Sequence, residues 1–102
     1  MLYRVEAKFH NDLLKEFFTK LTDGTIENQK PDGLEILASM KRAKIKDDFS
    51  LEWYETCFCA TPLKHERETI YDTYLYAFKT TVVDEIKDDI EGNYFWEYMK
   101  SK

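Results

Sequence analysis

The sequence predicts a ferredoxin-like α+β sandwich that occupies residues 1–102 as a single domain. Its plan is β-α-β-β-α-β, with a four-stranded antiparallel sheet, two helices on one face of the sheet, and a short aromatic C-terminal helix or tail. Three observations lead to this fold: a strict alternation of apolar and charged residues at the N-terminus, two amphipathic helical patterns, and an aromatic run in the middle of the chain.

The first strand and the first helix follow each other directly. Apolar residues alternate with charged ones from residue 3 to residue 9, which is the period of a strand with one buried face. His10, Asn11 and Asp12 then supply capping side chains. The apolar residues that come next have helical spacing; they are Leu13, Leu14, Phe17, Phe18 and Leu21. Asp23 and Gly24 offer the stop of this amphipathic helix.

The middle of the chain predicts a β-hairpin. Within residues 34–45, Ile36, Ala38 and Met40 fall on one side of an extended chain, and we interpret this run as the second strand. Residues 46–50 are short and polar enough to reverse the chain. The run L-E-W-Y-E-T-C-F-C-A, residues 51–60, is rich in aromatic and β-favouring residues and is the predicted third strand.

The second helix is predicted to begin where a threonine precedes a proline. Thr61 is a good N-cap and Pro62 suits the first helical position, so the helix starts there and ends near Lys79. Residues 80–83 are β-branched and read as the fourth strand. An acidic stretch follows, and G-N-Y-F-W-E-Y-M-K then forms a final helical turn or an aromatic tail.

Composition excludes several classes of function. Fifteen basic and twenty acidic residues give a net charge of -5, which removes the electrostatic attraction on which nucleic-acid binding depends. No stretch has the eighteen or so consecutive apolar residues of a membrane span. The alternating N-terminus does not have the pattern of a secretory signal or a transit peptide. We therefore expect a cytoplasmic protein with no nucleic-acid or membrane partner and with reduced thiols.

A charged row on the first strand marks the candidate ligand-binding site. Arg4, Glu6 and Lys8 lie on the face away from the helices, and the first and third strands are central neighbours in this plan. The pattern leaves open which face the third strand turns to the helices. We place Glu55 opposite Arg4 and Lys8, because opposite charges then meet, and Trp53 accompanies it at i-2. The plain alternative is a solvated face whose ion pairs contribute little.

The two cysteines, Cys57 and Cys59, are the second feature with chemical potential. Their side chains rise in parallel from a strand, which disfavours a mutual disulfide, and no second cysteine pair or histidine spacing completes a zinc site. A soft metal such as Cu(I) needs only two thiolates. Alternatively, Cys59 is a reactive thiol. It lies near the start of the predicted second helix, a position that lowers the pKa of a thiol, and His65 serves as its base. Because cysteine is commonly buried, we predict structural thiols, no metal and no cofactor.

Two functional hypotheses remain. The leading one is a homodimer that binds a partner or a small ligand on its open sheet face, at Arg4, Glu6, Trp53 and Glu55. The order of elements also resembles that of the dimeric α/β-barrel domains, which include small monooxygenases. That resemblance implies an enzyme acting on a small organic substrate in a cleft between subunits. An RNA-binding domain of the same topology is disfavoured, because E-W-Y-E-T-C-F-C stands where such domains have a glycine-aromatic motif.

Overall fold

A five-stranded antiparallel sheet forms the centre of the molecule. The computed structural model describes residues 1–46 and 49–101. The strands are β1 (Leu2–Phe9), β2 (Lys44–Lys46), β3 (Ser50–Thr56), β4 (Leu75–Val83) and β5 (Asn93–Tyr94), in the order β4-β1-β3-β2-β5. The helices are α1 (Leu14–Thr22), α2 (Gly33–Arg42), α3 (residues 64–74) and α4 (Phe95–Lys100). No helix in the described ranges is long and apolar enough to cross a membrane.

The N-terminal strand lies in the middle of the sheet, as the sequence predicts. β1 pairs with β3 on one side and with β4 on the other, both antiparallel. Its apolar row, Tyr3, Val5, Ala7 and Phe9, is buried beneath the helices. The prediction that the first and third strands are central neighbours is therefore confirmed, and α1 follows over the predicted segment up to Thr22.

The prediction of a second strand over residues 34–45 is wrong, because most of these residues form α2. The buried residues of α2 are Gly33, Ile36, Ser39 and Met40, which is a spacing of three and four rather than two. Leucine, glutamate, alanine, methionine, lysine and arginine, all good helix formers, dominate the run. Only Lys44–Lys46 is a strand, so the hairpin of β2 and β3 exists in a shorter form.

α3 begins later and ends earlier than predicted. It consists of an α-helical turn (Lys64–Glu66), a π-helical segment (Arg67–Tyr71) and another α-helical turn (Asp72–Tyr74). Thr61 does not cap it with its hydroxyl; instead its carbonyl accepts from the Lys64 amide at 3.1 Å. β4 starts at Leu75 because it pairs there with Phe9, so the predicted strand at 80–83 is the second half of a longer one.

The C-terminal segment docks on the core and adds the fifth strand. α4 buries Phe95, whose ring centroid lies 6.1 Å from that of Phe17, so of the two predicted alternatives, a helical turn or an aromatic tail, the segment forms the helix. β5 pairs with β2 over two residues, too few to leave a sequence signal. Gly92, with a φ of 115°, precedes it; a Cβ there would lie 2.5 Å from the Ile45 carbonyl oxygen.

The face of the sheet away from the helices is crossed by an acidic segment, residues 84–92, which we call the strap. It connects β4 at one edge of the sheet to β5 at the other. Residues 84–91 contain five carboxylates and one lysine. Asp89 holds the strap in place by accepting from Arg4 Nη1 at 2.8 Å and from the Tyr54 hydroxyl at 2.6 Å. The open face is thus partly covered by the chain itself.

Candidate functional site

Arg4 and Glu6 lie on the open face as predicted, but in a network that is already satisfied. Arg4 Nε donates to Glu52 Oε2 at 2.5 Å, and Lys46 forms ion pairs with both Glu52 and Glu6. Burial raises the pKa of Glu52, but the hydrogen bonds from Lys46 and Arg4 outweigh it and leave the pKa below its usual value. The strap contributes Asp89 to the same network. These charges stabilise one another across three strands.

Glu55 and Trp53 lie on the opposite face, so the prediction that Glu55 meets Arg4 is wrong. The register pairs Tyr3 with Glu55 and Val5 with Trp53, all on the side of the helices. Glu55 is fully buried, and its Oε1 accepts from Trp53 Nε1 at 2.8 Å and from the Tyr71 hydroxyl at 2.7 Å. The physical reason is the period of two: the large ring of Trp53 belongs in the core and takes Glu55 with it.

The environment of Glu55 favours its neutral form. Burial raises the pKa of Glu55 to about 8, although the donors Tyr71 and Trp53 act in the other direction, and the charge of Glu66 raises it further. The Glu55 Oε2 atom has no hydrogen-bond partner among the described residues. The helix side of the sheet therefore contains two buried acids, Glu55 and Glu66, close enough to interact.

Both cysteines and Glu66 converge where β3 ends. Cys57 and Cys59 are free thiols, the first buried and the second half-buried. The Cys59 amide donates to Cys57 Sγ at 3.2 Å, and the Cys59 thiol donates to Glu66 Oε1 at 3.6 Å. Burial raises the pKa of Cys57 to about 12. One ligand atom from each of the three residues lies within 4.8 Å of the other two. We call this group the thiol-carboxylate cluster.

Glu66 reaches the cluster through an unusual start of α3. Leu63, just before the helix, has a left-handed conformation with a φ of 58°, and the Arg67 amide donates to its carbonyl at 2.8 Å. This turn directs Glu66 inward, where only 1% of it is exposed and its Oε2 has no hydrogen-bond partner among the described residues. The π-helical segment follows directly, and π-helical turns are frequent at functional sites.

A second pair of polar groups lies beside the cluster. His65 Nδ1 contacts Asp32 Oδ2, which joins the start of α3 to the start of α2. Asp32, His65 and Glu66 also have ligand atoms within 4.8 Å of one another, so Glu66 belongs to both groups. Asp32 lies directly before Gly33, the first residue of α2, whose amide donates to the Gln29 carbonyl at 2.8 Å.

The two groups open into one cavity of about 530 Å³, which we call the thiol cavity. It is lined by Pro31, Asp32, Glu35, Thr56, Cys57, Phe58, Cys59 and His65. On the open face, the two cavities beside Tyr54 are smaller, about 290 and 300 Å³. The thiol cavity falls within the size range of small-molecule sites and combines apolar walls with a few converging polar groups.

Sequence reasoning singled out the two cysteines and His65 but missed Glu66 and Asp32. A signal for Glu66 was present: it lies three residues after Leu63 and four before Ile70, on the apolar face of its helix. Asp32 is far away in the sequence and had no such signal. Comparison of the chain with protein-family models, curated proteins and solved structures found no match. The function is therefore argued from this geometry.

Proposed function

We propose that the chain is a metal-binding domain that holds one divalent ion of the zinc type between the thiolates of Cys57 and Cys59 and the carboxylate of Glu66. One observation carries the proposal. The Glu66 side chain is almost fully buried beside two free thiols: its Oε1 accepts from the Cys59 thiol at 3.6 Å, and its Oε2 has no hydrogen-bond partner among the described residues.

The electrostatics of the cluster support a cation. A buried carboxylate needs a proton, hydrogen-bond donors or a nearby positive charge. In the described part of the chain, Glu66 Oε2 has no hydrogen-bond donor. The negative charge of Glu66 is one of the causes that raise the pKa of the neighbouring buried acid Glu55, so like charges repel one another here at a cost in free energy. A bound dication offsets this cost, because its charge is balanced by the carboxylate and by the two thiolates, whose protons are released to solvent when the ion binds.

The ligand set favours zinc over calcium or magnesium. Thiolates are soft ligands that select zinc-type and copper-type ions, whereas calcium and magnesium bind oxygen. Ligands of a tetrahedral zinc ion lie about 3.3–3.8 Å apart, as its bond lengths of roughly 2.0–2.3 Å require. The donor atoms of Cys57, Cys59 and Glu66, within 4.8 Å of one another, reach this spacing by small side-chain movements.

The experiment is a titration of the chelator-treated, reduced protein with Co²⁺, which has visible d-d absorption when its site is tetrahedral. We expect one ion per chain, a thiolate-to-cobalt charge-transfer band, and displacement of Co²⁺ by Zn²⁺. Cys57→Ser, Cys59→Ser and Glu66→Gln should each weaken binding roughly tenfold or more. Glu68→Gln, an exposed carboxylate two residues further along α3, is the matched control and should bind normally.

Two results would overturn the proposal. The first is a wild-type chain that shows no saturable charge-transfer band. The second is a folded Glu66→Gln variant that binds Co²⁺ as tightly as the wild type. Circular dichroism of each variant separates loss of a ligand from loss of the fold.

The proposal includes three broader features. The strand order β4-β1-β3-β2 supports a ferredoxin-like arrangement, with β5 as an addition. A cytoplasmic location suits thiol ligands, which must remain reduced. We also retain the homodimer. The alternative function, an enzyme of the dimeric α/β-barrel kind with a site on the open face, retains Arg4 and Glu6 and has the two cavities beside Tyr54 in its favour.

A further inference from the structure

We propose that the bound ion keeps one coordination position open toward the thiol cavity, where it binds a small neutral molecule with an apolar body and a nitrogen or sulfur donor atom. This inference rests on the proposed metal site and adds the chemical class of its ligand. Zinc sites with three protein ligands commonly leave the fourth position to water or to an incoming molecule.

Among the residues that the structure describes, the geometry brings three protein ligands together at one point. Cys57, Cys59 and Glu66 form one compact group, and Asp32, His65 and Glu66 form another, with Glu66 as the shared member. His65 is engaged by Asp32 through Nδ1, which holds the imidazole in the second group. The cysteines themselves line the thiol cavity, so the side of the ion that the protein leaves free faces that space.

Charge decides the kind of ligand. Two thiolates and one carboxylate give the site three negative charges, which exceed the two positive charges of the ion. Asp32 and Glu35 add carboxylates to the cavity wall. An anionic ligand would therefore be repelled at close range, where solvent screens the interaction least. A neutral donor, such as an imidazole or a thioether, meets no such cost.

The apolar wall of the cavity determines what kind of group the ligand carries next to its donor atom. Phe58 lines the cavity and is 90% exposed, an unusual state for a phenylalanine ring beside a concave site. Pro31 adds a second apolar surface. A ligand with a ring of its own would cover Phe58, whereas a ligand that consists of the donor group alone would not.

The test uses the Co²⁺-loaded protein and three probes: imidazole, 4-phenylimidazole and phenylacetate. We expect both imidazoles to shift the d-d absorption, with 4-phenylimidazole binding roughly tenfold more tightly because its phenyl group is buried against the cavity wall. Phenylacetate, which has the apolar body but a negative charge, should leave the spectrum unchanged.

Variants identify the surface that the probe contacts. Phe58→Ala should remove most of the advantage of 4-phenylimidazole over imidazole while leaving Co²⁺ binding intact. Phe49→Ala is the matched control, because Phe49 is also an exposed ring, 60% exposed, but packs on Phe9 rather than at the cavity. It should preserve the full advantage.

The outcomes separate the two proposals. If Co²⁺ binds and none of the probes alters its spectrum, the coordination sphere is closed; this inference is then overturned while the metal site stands. Equal binding of phenylacetate and 4-phenylimidazole would overturn the charge argument, and an unchanged preference in Phe58→Ala would overturn the assignment of the cavity. If Co²⁺ does not bind at all, the proposed function fails and this inference fails with it.

Discussion

Arg4 pairs across the sheet with Glu52 and not with Glu55, which lies on the same strand three residues further along. The two side chains meet at 2.5 Å on the open face, where the Arg4 side chain is 33% exposed and that of Glu52 only 6%. Lys46 and Asp89 complete the network from β2 and from the strap. The pair therefore couples the centre of the sheet to the segment that covers it.

The first prediction concerns the strength of this pair. Glu52→Gln and Arg4→Met should each destabilise the protein, and the double mutant should show a coupling free energy of about 1–2 kcal/mol, between the values typical of exposed and of buried pairs. Chemical denaturation of the two single mutants and the double mutant measures it. The control is the cycle of Arg4→Met with Glu55→Gln, which should be additive within about 0.5 kcal/mol because the two residues lie on opposite faces. Coupling with Glu55 but not Glu52 would contradict the register.

The sequence predicted those elements in which one period dominates. β1 has a clean alternation over its whole length, and α1 has one apolar face, so burial and local pattern agree. α2 failed because Ile36 and Met40 fit both a period of two and a helical repeat. The alternation indicates a strand, whereas the many good helix formers of the segment indicate a helix, and the structure agrees with the composition.

The candidate site was harder to predict because it depends on exceptions to the usual pattern. A glutamate on a strand is normally exposed, but Glu55 shares the buried face with Trp53, and hydrogen bonds from Trp53 and Tyr71 offset part of the cost of its burial. Tyr71 belongs to α3 and meets Glu55 only when α3 packs on the sheet, so this hydrogen bond has no local signal in the sequence. Glu66 approaches the cysteines because the chain makes a left-handed turn at Leu63, and no local sequence pattern predicts that turn.

The homodimer is the second prediction. One layer of helices covers one face of the sheet, and the strap covers the other only in part, so we expect a species of twice 12.3 kDa in sedimentation at micromolar concentration. Tyr76, 45% exposed, lies opposite Lys8 on the open face. Tyr76→Lys should raise the monomer fraction, whereas Leu34→Lys, on the exposed side of α2, should not. A single monomeric species in the wild type would refute it.

The third prediction concerns Gly33, at the start of α2. In most helices a glycine-to-alanine change is stabilising, by up to about 1 kcal/mol. Here a Cβ would lie 2.1 Å from the Ile26 carbonyl oxygen, a backbone atom that cannot move aside alone. Gly33→Ala should therefore destabilise the protein by about 1–3 kcal/mol in thermal or chemical unfolding. Lys15→Ala, on the exposed side of α1, should change stability by less than about 0.5 kcal/mol. A stabilised Gly33→Ala variant would show that the approach to residue 26 is looser than described.

The fourth prediction concerns the pH dependence that buried Glu55 imposes on the metal-free protein. Burial raises the pKa of Glu55 from 4.5 to about 8 in the folded state, whereas the unfolded chain keeps the lower value. A group with a raised folded pKa contributes stability that is fully present below the unfolded pKa and is lost as the pH rises through the folded pKa. In the presence of a chelator, the free energy of unfolding should therefore fall between about pH 4.5 and pH 8.

Glu55→Gln, which resembles the protonated acid, should remove at least about 1 kcal/mol of this fall, since one pKa unit corresponds to about 1.4 kcal/mol. Glu68→Gln, exposed on α3, should follow the wild-type curve. Denaturant unfolding at several pH values tests this, and parallel curves for the wild type and Glu55→Gln would mean that the Glu55 carboxyl ionises in the folded protein as it does in the unfolded chain.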